Sequence, residues 1–336
     1  MTSESPTISY RPWLFSFSVF VFISVLILIL FGALVKSHDA GLAVPDWPTS
    51  FGENMFLFPP SQWTGGIFYE HVHRLIASGV GFLTLILSFW LFFVDPRRIV
   101  KIVAVLSLLA VILQGILGGL TVRFLLPTII SVAHGVLAQT FMLMVLWLCY
   151  SQSKHGITRW RKGEVTEGNS KLFNCGVVLT VAIFIQLILG AVMRHKNAGL
   201  AVLDFPTMAG HLIPIFSSAV LEEVNQIRTI YTLPPVTYWQ YLAHIAHRIG
   251  GFLVAIVAIL FFFRTRFLSS KESRARSISW AILFLIVVQF TLGVLAVLTI
   301  REPFLTSSHV FFGAVLLSLA AFFCFTVFPS RGRASS

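Results

Sequence analysis

Residues 32–49 read GALVKSHDAGLAVPDWPT, and residues 190–207 read GAVMRHKNAGLAVLDFPT. The two stretches align without a gap at an offset of 158, and 10 of their 18 positions are identical. Shorter motifs on their carboxyl side also recur, at offsets of 174 and 175. A repeat that keeps this order predicts a chain built from two copies of one structural unit.

The composition indicates what surrounds the repeated stretches. Of the 336 residues 57% are hydrophobic and only 11% are charged, a balance that soluble domains of this size do not show. A membrane-spanning helix needs about 20 apolar residues. We therefore predict an all-α integral membrane protein with eight transmembrane helices. The charge-free runs are 12–35, 75–94, 102–122, 124–153, 172–193, 249–263, 277–300 and 303–330.

The repeat divides these eight helices into two tandem four-helix bundles. Each copy has an even number of spans, so the copies share one orientation and are related by a pseudo-two-fold axis along the membrane normal. We expect an N-terminal bundle at 1–153, a cytoplasmic linker at 154–171 and a C-terminal bundle at 172–336. The run at 249–263 spans only about 22 Å as a helix. Its helix is therefore expected to begin earlier and to include His247 and Arg248.

The basic residues predict the orientation. Sixteen of the 24 Lys and Arg residues lie on the side that holds both termini, which the positive-inside rule places in the cytoplasm. The amino-terminal residues resemble neither a cleaved signal peptide nor a transit peptide. We expect a multi-pass protein of the bacterial plasma (inner) membrane, whose basic charge serves orientation and lipid contact and not nucleic-acid binding.

Four histidines occupy matching places in the two copies. His73 and His134 lie 61 residues apart, at the predicted outer starts of helices two and four, and His247 and His309 lie 62 apart in the second copy. Two imidazoles from different helices of a four-helix bundle can hold a planar haem through its two axial iron positions. With three cysteines and no C-x-x-C motif, thiolate zinc sites and covalent c-type haem are excluded. We predict two haem sites near the outward face.

Charged neighbours distinguish the two sites. Arg74 and Arg248 each follow a histidine, where a guanidinium could hold haem propionates or anchor the helix at the membrane surface. Glu70 is placed to pair with Arg74 on the same helix face. The second copy has His244 at the position of Glu70. A carboxylate at only one site suggests that the first copy performs chemistry.

Other motifs are assigned to structure. His71 is about 200° around the helix from His73 and is expected to face the loop or support the site. The loop repeats with Asp46 and Asp204 are expected to form turns, and Trp47 to help cover the first site. Three Q-x-x-L-G patterns are interpreted as helix packing. They contain Gln114 and Gly118, Gln186 and Gly190, and Gln289 and Gly293.

These elements together resemble the haem A synthases, the CtaA/Cox15 family, over about residues 12–328. The resemblance rests on EHVHR at 70–74, AHIAHR at 243–248, and the two histidines on the fourth helix of each copy. It implies oxidation of a methyl group of haem O to the formyl group of haem A via a hydroxymethyl intermediate. The implied roles are substrate haem binding by His73 and His134, catalysis by Glu70, and ligation of a resident haem b, through which electrons pass, by His247 and His309.

The resemblance also implies partners. They are the haem O substrate, haem O synthase, an unidentified electron donor or acceptor and the lipid bilayer, and self-association is left open. One bacterial subgroup carries a Cys pair in its outward loops. Here Cys149, Cys175 and Cys324 are predicted near cytoplasmic helix ends, so such a thiol step is not expected.

Two other functions fit parts of the pattern. A membrane cytochrome b that carries electrons between quinol and a partner accounts for both histidine pairs, but not for the single Glu70 or the repeated loops. A transporter built from parallel repeats would place ionisable groups near the bilayer midplane, whereas here they are predicted at the outer edge.

Overall fold

The computed structural model describes residues 8–162, 168–268 and 273–328. Eight of its helices are long and apolar enough to cross a membrane, which confirms the predicted all-α membrane fold. Helices dominate because a bilayer offers the backbone no hydrogen-bond partners. The helices are α1 Pro12–Ser37, α2 Gly66–Val94, α3 Arg98–Arg123, α4 Thr128–Gln152, α5 Lys154–Lys162, α6 Gly168–His195, α7 Ser218–Ile230, α8 Tyr238–Thr265, α9 Ser273–Leu298 and α10 Pro303–Val327.

Several helices extend beyond the charge-free runs. Helix α8 begins at Tyr238 and includes His247 and Arg248, as expected, and α2 likewise begins nine residues before its apolar run. Helices α5 and α7 were not predicted. Helix α7 lies within the longer loop of the second copy, and α5 lies in the predicted linker. Residues 163–167 of that linker, and the outer ends 1–7 and 329–336 of the two predicted bundles, lie outside the described residues.

The spanning helices form two closed rings. Helices α1, α2, α3 and α4 contact one another in sequence, with α4 returning to α1, and α6, α8, α9 and α10 repeat this arrangement. The rings meet where α10 contacts α1 and α4, and where α4 contacts α6. Helix α10 is the most enclosed, with 61% of its apolar window buried against 28% for α4. Small residues such as Gly313, Ala314 and Ala320 permit this close packing.

Polar side chains also connect the two bundles. Ser307 Oγ donates to Ser37 Oγ over 2.9 Å, and Arg194 Nη2 donates to the Ala33 carbonyl over 2.6 Å. Ser318 Oγ contacts Met142 Sδ at 3.4 Å in the centre of the interface. Each such interhelical contact contributes only about 0.6 kcal/mol on average. The interface is therefore held mainly by apolar packing.

Two long loops, at 38–65 and 196–237, lie at one end of the bundles, which we call the long-loop end. Strands β1 (Thr49–Ser50) and β2 (Glu53–Asn54) form a hairpin in the first loop, and Met208 pairs with His211 at the corresponding place in the second. A single 3-10 turn, Pro60–Gln62, follows the hairpin. The structural repeat therefore continues beyond the stretch where the sequences agree.

The hairpin turns have the same backbone in both loops. Phe51 and Gly52 have φ of 54° and 79°, and Ala209 and Gly210 have φ of 58° and 77°. Positive φ at both central residues is the requirement of a two-residue type I′ hairpin, and glycine meets it without a steric cost.

Candidate functional site

The four candidate histidines lie below the long-loop ends of their helices. His73, His134 and His309 follow the first residue of α2, α4 and α10 by seven, six and six positions, and His247 is nine positions into α8. At 1.5 Å per residue they lie about 9–14 Å along the helices. They therefore lie about two turns deeper than the helix starts at which the sequence placed them. For α2 and α8 this is because the helix begins before its charge-free run.

The histidines form one pair in each bundle. The ring centroids of His247 and His309 are 6.4 Å apart, and the ring planes are 87° from parallel. An imidazole–metal bond is about 2 Å long, so rings that share one metal ion have centroids about 6 Å apart. His73 and His134 are close enough to interact electrostatically in the first bundle. The second pair thus has the separation that two axial ligands require.

A glycine on the preceding helix stands against each ring. A Cβ built on that glycine would lie 3.0–3.5 Å from the histidine Cε1 atom, so the ring edge fills the space that a side chain would otherwise occupy. This contact fixes the side on which each ring lies. The pairs are Gly32 with His73, Gly118 with His134, Gly190 with His247 and Gly293 with His309.

Three of these rings have an unsatisfied nitrogen. Nδ1 of His73, His134 and His309 is buried and has no hydrogen-bond partner in the protein. Buried polar atoms are normally paired, so an unpaired ring nitrogen indicates a missing ligand or water.

His71 and His244 have structural partners in the loops. His71 Nδ1 lies 3.2 Å from Ser50 Oγ, and its ring packs between Phe58 and Trp63, although its Nε2 is also unpaired. This confirms that His71 faces the loop. His244 Nδ1 lies 2.8 Å from the Ala198 carbonyl oxygen.

Glu70 and Arg74 form a buried ion pair that holds the first loop. Arg74 Nη2 donates to Glu70 Oε1 over 2.7 Å, which confirms the predicted pairing, and both residues are less than 10% exposed. Glu70 Oε2 accepts the Val44 backbone N–H over 2.9 Å. The remaining Nη donors of Arg74 bind the carbonyl oxygens of Val44, Asp46 and Thr49, at 2.8, 2.6 and 3.1 Å.

Arg248 holds the second loop in the same way. Its Nη1 donates to the carbonyls of Asp204 and Thr207, and its Nη2 to that of Val202, at 2.8, 3.0 and 3.0 Å. These acceptors match those of Arg74 at the repeat offset of 158. Both arginines bind loop backbone, which leaves little capacity for the propionate contact expected from the sequence. That contact stays a prediction which this geometry does not favour.

Two aspartates stabilise the hairpin turns. Asp46 accepts the backbone N–H groups of Phe51 and Gly52 at 2.7 and 2.8 Å, and Asp204 accepts those of the matching residues of the second loop. Burial alone would raise the pKa of Asp46, but hydrogen bonds from Thr49, Gly52 and Phe51 outweigh it and lower the pKa. The interpretation of these residues as turn formers fits this geometry.

Each loop extends across its bundle to the third helix of that copy. Trp47 lies flat against Gly119 of α3, where an added Cβ would be 2.5 Å from the indole ring. Phe205, the residue that matches Trp47, packs against Phe290 of α9 with ring centroids 6.0 Å apart. Gly119 adjoins Gly118, which packs on His134, so the first loop covers the space above that histidine.

The second loop has an additional apolar core. Val220 and Val224 of α7 pack with Val202 and Met208 of the loop and with Tyr241 of α8. Tyr241 Oη donates to the Ile215 carbonyl over 2.9 Å. The described residues of the first loop include no corresponding helix, so this core is particular to the second loop.

The family model COX15-CtaA, described as cytochrome oxidase assembly protein, matches residues 15–321. The chain belongs to the COX15-CtaA family. Its relatives include the heme A synthase of Halalkalibacterium halodurans, 26% identical over 309 residues that cover 90% of this chain and 93% of the relative. The heme A synthase of Beijerinckia indica is 26% identical, with 92% and 90% covered, and that of Shewanella oneidensis is 25% identical, with 80% and 83% covered.

Three features of this COX15-CtaA chain were not predicted from its sequence. They are the glycine behind each histidine, the binding of loop carbonyls by the arginines, and the bonds from aspartate to the turn. The glycines had a usable signal, because they recur before the histidines in both copies. A backbone carbonyl acceptor leaves no such signal, because any residue can supply it.

Proposed function

We propose that this COX15-CtaA protein is a haem A synthase, which oxidises a methyl group of haem O to the formyl group of haem A. The observation that carries the proposal is a glycine-backed histidine pair in each of two bundles, with a buried carboxylate beside only the first. The relatives named heme A synthase support this assignment across most of the chain.

The residues present fit a haem. The described residues contain no group of three or more His, Cys, Asp and Glu that could hold a bare metal ion. Two histidines alone do not complete the coordination of iron, and a porphyrin held by them would supply four further nitrogen ligands. The facing rings of His247 and His309 and the unpaired ring nitrogens are consistent with this arrangement.

We assign the two bundles different roles. In the first, residues 1–153, His73 and His134 bind the substrate haem O, and in the second, 172–336, His247 and His309 hold a resident haem b. Residues 154–171 link them. The additional core under α7 supports this assignment, because a permanent cofactor benefits from a fixed cover, while a substrate must enter and leave.

Glu70 is the candidate catalytic group. It lies three residues before His73, so both side chains project from one face of α2. A carboxylate there can accept a proton or orient a water molecule as positive charge develops during oxidation. A bound haem b would supply electron transfer in single-electron steps. Arg74 pairs with Glu70 and ties it to the covering loop.

The membrane provides the route for the substrate. Exposed phenylalanines such as Phe82, Phe89 and Phe93 line the outer surface of α2, an environment compatible with the farnesyl tail of haem O. We place the protein in the bacterial plasma membrane with cytoplasmic termini and the long-loop end outward. Haem O synthase and an electron donor or acceptor are its expected partners.

Haem extraction tests the proposal. The protein is purified from a host that makes haem O but has no other haem A synthase, and its haems are separated by chromatography and identified by mass spectrometry. We expect haem A or its hydroxymethyl precursor together with haem B. Two haem B per chain and no oxidised product would overturn the proposal and favour the electron-transferring cytochrome b.

A further inference from the structure

Three of the four candidate ligands are held by a glutamine amide. Gln114 Nε2 donates to the His134 backbone carbonyl over 2.8 Å, and Gln186 and Gln289 bind the carbonyls of His247 and His309 at 2.8 and 3.1 Å. Each glutamine lies four residues before the glycine that backs the same ring. The amide and the glycine therefore contact the same histidine from one face of the neighbouring helix.

This hydrogen bond restrains the helix as well as the side chain. A carbonyl inside a helix already accepts the N–H four residues on, so the glutamine adds a second bond from a neighbouring helix. That bond resists rotation of the histidine-bearing helix about its axis, and the rotation sets where the imidazole points. Within the membrane no water is available to replace this bond if it is lost.

His73 lacks this restraint. The position four residues before Gly32 is Leu28, whose side chain cannot donate a hydrogen bond. Among the described residues no side chain donates to the His73 carbonyl. Helix α2 is instead fixed at this level through Glu70 and Arg74, both of which bind the covering loop.

A second difference accompanies the first. In the second copy Gly250 makes room for the glutamine, because a Cβ there would lie 2.2 Å from Gln186 Oε1. The corresponding residue of the first copy, at the offset of 174, is Ile76, which, like Leu28, packs against the apolar core. The residue three positions after the histidine is Leu137 for His134 and Phe312 for His309, so this glycine is particular to His247. What sets His73 apart from the other three histidines is the missing glutamine.

We propose that Leu28, which stands where the other three sites have a glutamine, makes His73 the exchangeable ligand of the substrate haem, while His134, His247 and His309 stay in place. This inference rests on the proposed function, since it concerns how haem O enters and the product leaves. The loop is attached to α2 by Glu70 and Arg74, so release of His73 is coupled to movement of the loop. Leu28 acts as a positioning residue that permits this release.

The test measures haem release. Purified holoprotein in detergent is mixed with excess apomyoglobin, and the haems that remain are identified by mass spectrometry over time. In the parent protein we expect haem O to leave faster than haem B. Restoring the polar contact with L28Q/I76G should slow haem O release three- to tenfold relative to I76G, which shares the lost side chain but lacks the amide. The range is that of about one interhelical hydrogen bond.

The reciprocal variant Q186L keeps the test valid if L28Q/I76G does not fold. It should speed haem B release three- to tenfold and raise the high-spin fraction of that haem in its electron paramagnetic resonance spectrum. Release rates unchanged by either change would overturn the proposal. If both bundles instead contain haem B, the proposed function fails. In that case, release of haem B in two kinetic phases would still support an exchangeable His73, whereas release at a single rate would refute it.

Discussion

Replacing Glu70 with Gln separates the structural role of this carboxylate from its catalytic one. The two oxygens of Glu70 accept hydrogen bonds from Arg74 Nη2 and the Val44 backbone N–H, at 2.7 and 2.9 Å. A glutamine amide offers one acceptor and one donor group, so one of these two partners must lose its bond. We therefore expect the loop at 43–50 to open more often in Glu70→Gln.

The size of this effect follows from the lost bond. A hydrogen bond to a charged group contributes about 1.5–3 kcal/mol. Glu70 is 4% exposed and Arg74 9% exposed, so solvent and salt screen the interaction little. Since about 1.4 kcal/mol corresponds to a factor of ten, the opening equilibrium of the loop should rise about ten- to one hundredfold.

Hydrogen–deuterium exchange with mass spectrometry measures this opening. The peptide 43–50 should exchange faster in Glu70→Gln, while 201–208 in the same molecule serves as an internal reference, because Arg248 holds it without a carboxylate. Equal exchange of 43–50 in parent and variant would refute the assignment of Glu70 as a loop anchor.

Glu70→His is the matched variant, since the second copy has His244 at this position. If the histidine restores loop protection by binding the carbonyl of Ala40, as His244 binds that of Ala198, the structural role is recovered. Conversion of haem O should nevertheless be lost. Conversion at the parental rate in either variant would show that Glu70 is not catalytic.

Two further predictions concern the covering loop. Gly119→Val should displace Trp47, because an added Cβ would lie 2.5 Å from its ring, and should raise exchange of 43–50; Gly115→Val, whose Cβ meets nothing within 4 Å, is the control. The pKa of Asp46 is lower in the folded protein than the unfolded value of about 3.9. The ionised carboxylate therefore stabilises the hairpin fully above the unfolded pKa, and this stabilisation is lost as the pH falls through the lower folded pKa. Exchange of 49–54, corrected for intrinsic rates, should therefore increase only below about pH 4, and Asp46→Asn should abolish this pH dependence.

The fold was predicted well, because the number of spanning helices and the order of the repeated motifs can both be read from the sequence. Apolar run lengths gave eight spans, and the recurrence of four histidines identified the helices that carry them. The distance of the site residues from the ends of their helices was predicted less well. A charge-free window ends at Arg74, yet helix α2 continues eight residues further toward the loop, because Glu70 and the backbone carbonyls of Val44, Asp46 and Thr49 satisfy the guanidinium.

Helix α7 shows a different limit. It is short and lies outside the apolar runs, so a search for membrane spans passes over it. Its presence is determined by the core that it forms with Val202, Met208 and Tyr241, residues close to it only in the folded protein. The greater length of the second loop showed that it has additional residues, but not that these residues form a helix that packs on the loop.

The differences between the copies support unequal roles for the two sites. Random divergence of a duplicated unit would spread substitutions over all four histidine environments. Here the two differences that remove a polar side chain or change a charge, Leu28 against Gln186 and Glu70 against His244, both lie in the segments around His73. The glycine contact is kept at all four rings, so the space for each imidazole is preserved. What changes is how firmly α2 is held, and a site that must release its ligand is the one that needs this change.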